Sequence, residues 1–366
     1  MPQSETGTKP MMRIVAATLF ITVLFANTVV GYYPACSDGL TCRTLSPAAT
    51  PELVFDCAWI IAKTNKSAIV YHMHGNDGRR AKAMFFGTMK DLALLGYTSL
   101  SCDARGYSPG ASPKTMPSYS YNELIADIFG LVDAFATYRS MPIGGKFHVV
   151  AHDQGARVSW HAIAKGTGRS RFLTFTSLSI PHGDVFSDAL FGNNTDLKQQ
   201  ESAQYVRMLV LPNSTTVDTA EIYHKVCVPG GWPEVVECQR TLWWYNGAID
   251  SGAMALAPDM PYSGASKYVG IPRAVVQKLT QYPLVGVGQT AMVGNISEFP
   301  VLYACGTKDT SDLCEKKFGT QTCAKIKDCT YLQLPGCGHD VVGCTVTGDT
   351  LIDAIVANIG KVSDNA

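Results

Sequence analysis

The sequence predicts an α/β protein: a mostly parallel sheet flanked by helices, with an inserted, mainly helical cap. Three observations carry this prediction. Short apolar runs alternate with segments of helical period between residues 67 and 180. That rhythm stops after Pro181 and resumes only at Phe299. The tract between is rich in Tyr, Trp, Met and Leu in helical patches, separated by Pro- and Gly-rich joints. Parallel strands need crossover connections, and helices supply them, so such alternation signals a sheet covered on both faces.

Taken in order, Ser67–His74 (SAIVYHMH) reads as a short buried strand, followed by a Gly- and Asp-containing turn and a helical stretch over Arg80–Leu95. Tyr97–Cys102 is the next strand. Asp103–Pro113 (DARGYSPGASP) holds too much Gly and Pro for a regular element and reads as a loop. Tyr121–Tyr138 places Leu124, Ile125, Ile128, Leu131, Val132 and Phe135 at helical spacing. A strand over Lys146–Ala151, a helix over Ala156–Lys165 and a strand over Phe172–Ile180 follow. Residues 184–290 form the expected cap, jointed at Pro229–Pro233 and Pro258–Gly264, with Cys227 and Cys238 as a possible bridge. Strands at Phe299–Gly306 and Thr330–Leu334 and a helix at Leu351–Ile359 complete the core, which the sequence assigns to residues 65–183 and 291–366.

The 366 residues suffice for one sizeable core plus one insertion, and 46% hydrophobic residues fit a globular fold. The formal net charge is zero, with no long Lys/Arg run, so a nucleic-acid partner is not expected. At the N-terminus, Arg13 precedes an apolar run from Ile14 to Phe25 and then small residues. That pattern predicts a secretory signal over residues 1–31, cleaved near Ala26–Gly31. The alternative is an uncleaved anchor, but the run is short against the about 20 residues a bilayer span needs. No stable membrane span is expected in the mature chain, and the expected location is secreted or the secretory-pathway lumen.

The twelve cysteines agree with export. Their spacing sets up no zinc site, so disulfides are the simpler account, though pairing is not readable from sequence. Cys36, Cys42 and Cys57 are expected to staple an N-terminal extension over residues 32–64, while Cys314, Cys323 and Cys329 lie in one polar segment and are expected to fasten a loop. Sequons stand at Asn65, Asn193, Asn213 and Asn295.

The strongest chemical signal is KFHVVAHDQGARVSW, residues 146–160. A hydrophobic strand runs through His152-Asp153-Gln154-Gly155 directly into a helix. A residue on such a turn projects beyond the sheet edge, with backbone N–H groups nearby. Gly155 is needed because a Cβ would clash in the tight turn. The bland alternative is that Asp153 only caps the helix. A second match, Gly106-Tyr107-Ser108-Pro109-Gly110, satisfies the G-x-S-x-G pattern, but no helix follows it, and Ser108 is read as structural.

The block Asp103–Gly110, the turn His152–Trp160, the segment Leu178–His182 and two cap segments together resemble the epoxide hydrolase and haloalkane dehalogenase branch of the α/β-hydrolase superfamily. The likeness covers roughly residues 66–360 and looks nearest to epoxide-hydrolase-like members. It implies the α/β-hydrolase fold and a nucleophilic carboxylate at Asp153. It implies His339, in Pro335-Gly336-Cys337-Gly338-His339, as the base, and Asp309, in Gly306-Thr307-Lys308-Asp309, as its acid, with Asp312 a local competitor. Asp340 stands where relatives often carry an aromatic. Backbone N–H groups of Asn76 and Gln154 are the implied oxyanion donors. The usual epoxide-hydrolase pattern has an aromatic and a proline at positions 76 and 77, where this chain has Asn76 and Asp77.

Two cap tyrosines are the implied proton donors: Tyr205 in Glu201-Ser202-Ala203-Gln204-Tyr205, and Tyr245 in Leu242-Trp243-Trp244-Tyr245-Asn246. Trp244 is the implied wall of an apolar pocket. The resemblance therefore implies a small, mostly apolar epoxide as substrate, with no cofactor. No metal is expected either, since His72 and His74 lack a third ligand at suitable spacing. Asn76 keeps a haloalkane dehalogenase open, while Gln154 stands where that branch expects Trp. A secreted, non-catalytic binding protein of this fold remains a third reading, because fold does not fix function.

Overall fold

A computed structural model of the chain describes residues 36, 39–63, 68–76, 78–191, 194, 196–203, 240–244, 292–312, 314–347 and 349–362. Its centre is an eight-stranded sheet in the order β1-β2-β4-β3-β5-β6-β7-β8. The strands are β1 (Thr41–Leu45), β2 (Phe55–Ile60), β3 (Ile69–Met73), β4 (Thr98–Cys102), β5 (Phe147–His152), β6 (Phe172–Leu178), β7 (Val301–Gly306) and β8 (Cys329–Leu334). β1 pairs antiparallel with β2 and β2 antiparallel with β4, and every further pairing is parallel. The expected mostly parallel sheet is present, and each strand foreseen in the sequence lies within two residues of its expected start.

Alternation along the central strands divides the core in two. Tyr71, Met73, Val149 and Ala151 face α2 (Tyr121–Tyr138) and α3 (Gln154–Ala164) in one cluster with Leu124, Ile128, Phe135 and Ile163. Val70, Val150 and Leu178 face the other way, toward α1 (Phe86–Leu94) and the last helix, α8 (Thr350–Ile359). This is the covering of both faces that a parallel sheet requires. α2 begins at Ser120, whose hydroxyl accepts the Glu123 N–H at 3.4 Å and so satisfies one of the donors left over at a helix start. The helical stretch expected over Arg80–Leu95 is instead a 3-10 stretch, Gly78–Phe85, broken at Ala81 (φ 26°), and then α1. Three helices were not foreseen as such: α4 (Thr167–Arg171), α6 (Leu197–Ser202) and α7 (Lys316–Ala324), and α5 (Gly183–Phe191) opens the insertion.

Two differences from the sequence reading concern the N-terminal region. Residues 32–64 contain β1 and β2, which belong to the sheet. Cys57 does not join Cys36 and Cys42: Cys36 pairs with Cys42, and Cys57 pairs with Cys102 across β2 and β4, where the two residues stand directly opposite. Further bridges are Cys305–Cys314, Cys323–Cys329 and Cys337–Cys344. Five disulfides among the described residues mark a chain that matures in an oxidising, secretory compartment. No helix among the described residues is long and apolar enough to cross a membrane. The expected signal segment, the sequons at Asn65, Asn193 and Asn213, and Cys227 and Cys238 lie outside the described residues.

Candidate active site

The carboxyl ends of the parallel strands converge on one edge of the sheet. β3 leads into His74–Asn76, β5 into Asp153, β6 into Ser179, β7 into the loop bearing Asp309, and β8 into the loop bearing His339. The crevice beyond such strand ends is where open α/β sheets bind ligands.

Asp153 is the single residue between β5 and α3, with φ 48° and ψ −122°. A side-chain-bearing residue held there costs about 1–3 kcal/mol, which the surrounding turn must offset. Its N–H donates to Leu178 O at 3.2 Å, and its carbonyl accepts the Arg157 N–H at 3.0 Å. Two glycines make the turn possible. A Cβ on Gly155 would lie 2.5 Å from His74 O and 2.6 Å from Met73 O, as the sequence reading required. A Cβ on Gly75 would lie 2.5 Å from Asp153 Oδ2, so Gly75 clears the space that the carboxylate occupies.

The carboxylate itself is buried. Oδ2 accepts the Asn76 backbone N–H at 2.8 Å, and Oδ1 lies 3.4 Å from His339 Nε2. Burial favours the neutral acid, but the hydrogen bond and charge of His339 outweigh it and hold Asp153 well below the usual carboxylate range. Asp153 is therefore ionised across the neutral range.

The other ring nitrogen of His339, Nδ1, donates to Asp309 Oδ2 at 2.7 Å. Asp312 Oδ2 stands at 3.9 Å, so Asp309 is the acid that binds the histidine. Asp309 Oδ1 accepts from the Ser311 N–H and Oγ, both at 2.9 Å, and from the Asp312 N–H at 3.1 Å. These bonds and the His339 charge overcome burial and lower its pKa. For His339, burial pulls the imidazole pKa down, but the Asp309 charge and the bonds to Asp153 and Asp309 lift it well above its ordinary value. The His339 carbonyl accepts from Ser179 Oγ at 2.7 Å and from the His152 ring at 2.9 Å, which fixes the loop to β5 and β6.

Each of the two loops that carry Asp309 and His339 is closed by its own disulfide. Cys305–Cys314 spans Asp309, and Cys337–Cys344 spans His339. Cys57 and Cys102, inside the sheet, are each 1% exposed, whereas Cys314 and Cys344 are partly accessible. Mild reduction under native conditions should therefore open the loop clamps before the Cys57–Cys102 bridge. Activity is expected to fall on the order of 10²-fold, the cost of an ångström-scale misplacement, while far-UV circular dichroism is retained. Equal loss of both signals would show that the clamps are only part of the global fold.

Around this centre, Gln154 is the first residue of α3, so its backbone N–H has no intrahelical acceptor. Its side chain is fixed by Tyr121 OH, which donates to Oε1 at 2.7 Å, and Nε2 is buried with no partner among the described residues. Asn76 Oδ1 accepts from Tyr107 OH at 2.9 Å. Trp244 is buried, donates from Nε1 to Arg105 O at 2.7 Å, and packs edge-on against Tyr107 at 5.6 Å. It thus braces the loop that supports Asn76. Ser108 Oγ donates to Asp103 O at 2.5 Å and accepts the Asp56 N–H at 2.9 Å, a structural role, as expected. The loop that carries Ser108 is pinned further by a two-pronged Arg105–Asp127 pair, with bonds of 2.8 and 2.7 Å, and by Lys82 on Asp103. Tyr205 and Tyr245 lie outside the described residues.

The structure also brings in residues the sequence did not single out: Gly75, Tyr121, Arg157, Ser179 and Ser311. Only Gly75 had a visible signal, its place in the turn after a strand. Tyr121, Arg157 and Ser179 act through partners far away in the chain, and Ser311 binds Asp309 two residues before it.

The Alpha/beta hydrolase family profile matches residues 70–344, and the chain belongs to this family. Epoxide hydrolase A of Mycobacterium tuberculosis (strain ATCC 25618 / H37Rv) is 37% identical over 90 residues, 25% of each protein. An epoxide hydrolase of Caballeronia sordidicola is 24% identical over 166 residues, 45% of this chain and 43% of that protein. The matches thus span from a quarter to under half the length of these two relatives. Among solved structures, one described as novel epoxide hydrolases from metagenomes of hot environments superposes with a TM-score of 0.62 at 16% identity, covering 87% of this chain and 98% of that one. That likeness speaks for the fold.

Proposed function

We propose that this chain is a hydrolase that opens a small, mostly apolar epoxide to a diol through a covalent ester on Asp153. The observation that carries the reading is the elbow carboxylate itself: ionised, bonded to a backbone N–H on one oxygen, and backed on the other by a His339–Asp309 pair. A carboxylate there attacks an electrophilic carbon and leaves an alkyl ester. The epoxide C–O bond breaks as the new C–O bond forms, and the alkoxide takes a proton from Tyr205 or Tyr245. His339 then removes a proton from water, which attacks the ester carbonyl. The oxyanion is met by the N–H groups of Asn76 and Gln154, and the acyl C–O bond breaks to release the diol.

The charge arrangement supports this order of steps. Esterification removes the negative charge that Asp153 places at His339 Nε2. The imidazole pKa then falls, and the neutral base appears when water must be activated. Gln154 Nε2 offers a buried donor beside the nucleophile for a polar atom of the substrate. Haloalkane displacement would use the same nucleophile, with halide leaving in place of the alkoxide.

The test is a matched panel of small aryl and alkyl epoxides and haloalkanes, with wild type compared to a Tyr205→Phe/Tyr245→Phe variant. Diol formation should fall about 10²–10⁴-fold in the double variant, the usual worth of a positioned acid. Halide release unaffected by the tyrosines would move the protein to dehalogenation. Neither product from folded wild type would leave a non-catalytic binder.

A further inference from the structure

Behind the triad lies a second carboxylate that the proposed chemistry does not use. Asp312 is 1% exposed and faces Nδ1 of His339 at 3.9 Å through Oδ2. Asp309 reaches the same nitrogen at 2.7 Å. Two buried acids are thus aimed at one N–H. What separates them is Arg157, one turn along α3 from Asp153, whose Nη2 donates to Asp312 Oδ1 at 2.6 Å. Its guanidinium lies 4.2 Å from the Phe186 ring of α5, so the side chain is held between the elbow helix and the start of the insertion.

We propose that Arg157 and Asp312 form a positioning pair: Arg157 holds Asp312 back and cancels its charge, leaving Asp309 as the acid that binds and orients His339. This rests on reading His339 as the base, but not on which substrate the enzyme takes. Among the described residues, the charged and titratable groups facing His339 are Asp153 at Nε2, Asp309 and Asp312 at Nδ1, the His152 ring at 5.0 Å, and Arg157 through Asp312. Burial raises the Asp312 pKa to about 6, against the opposing pull of Arg157 and His339. Asp312 is therefore sensitive to the loss of its arginine.

The consequence has a sign. Loss of the arginine makes Asp312 take up a proton more readily, so the sign holds at a pH above the titration of Asp312: there Arg157→Met leaves one uncancelled negative charge near the imidazole and favours the imidazolium. Asp312→Asn removes one negative charge near the imidazole and disfavours the imidazolium. Arg157→Met/Asp312→Asn restores neutrality. A purely structural pair would give no such opposition.

The experiment is an NMR titration of histidine-labelled full chain, with His339 assigned by comparison with His339→Gln. The midpoint should move up by about one pH unit in Arg157→Met and down by about as much in Asp312→Asn, and return close to wild type in the double variant. The acid limb of the ester-hydrolysis step, followed in single turnovers, should move the same way. If Arg157→Met does not fold, the downward shift of Asp312→Asn and its reversal in the double variant carry the same test. Shifts in one direction for both single variants, or no shift in either, would overturn the proposal and make the pair a packing element. Because the titration needs no substrate, a wild type inactive on epoxides would refute the substrate reading and leave this measurement to decide the pair by itself.

Discussion

Asp153→Asn should abolish turnover, with an expected loss on the order of 10⁴-fold or more, because in the proposed mechanism this residue forms the covalent bond. The variant should fold. Asn has nearly the same shape, is among the residues that best tolerate positive φ, and can still accept the Asn76 N–H through its amide oxygen. The only other elbow-like candidate, Ser108, is tied to Asp103 and Asp56 and points into structure. Diol production by the panel assay, with thermal unfolding as the control for folding, checks the expectation. Residual activity within 10-fold of wild type would remove Asp153 from the reaction.

His339→Gln has an equally large effect on turnover but a different signature. Epoxide opening needs the carboxylate and a proton donor, whereas ester hydrolysis needs the base. The variant should therefore be alkylated once and then stall. Intact-mass spectrometry should show one equivalent of substrate bound, and steady-state turnover should drop about 10³-fold or more. The pH dependence of wild type follows from the same residue. Its imidazole is held well above the ordinary histidine pKa while Asp153 is ionised, and falls once that charge is esterified. Hydrolysis of the ester should consequently fail as pH drops below the lowered value, while alkylation persists, because Asp153 stays ionised to far lower pH. An alkyl-enzyme that never accumulates in His339→Gln would mean water is activated elsewhere.

How much of this could be read from the chain depends on how local each signal is. α2 occupies the predicted Tyr121–Tyr138, because an unbroken apolar stripe and a Ser120 cap mark it within its own sequence. β1 left no such trace: four of its five residues are exposed, so TCRTL carries no alternation, and it is a strand through its pairing with β2. Asp153, Asp309 and His339 were each legible because each follows a strand in a turn-forming context, and the structure brings the three side chains together. Arg157 and Asp312 were not, since 155 residues separate them and nothing in either segment refers to the other. Asp312 stood out only as a rival to Asp309; distance, not spacing, assigns it to a different place.

The two loop clamps have a consequence for when this chemistry can begin. The elbow depends on strand, helix and glycines alone, so Asp153 is in place as soon as the sheet forms. The loops of Asp309 and His339 are closed only when Cys305 meets Cys314 and Cys337 meets Cys344. A newly made, still reduced copy would thus hold a reactive carboxylate without a fixed partner to free it again. Such a copy could capture an electrophile once and be spent. Oxidation turns a single-use trap into a catalyst, so on this reading repeated turnover is reserved for molecules that have left the reducing environment in which they were synthesised.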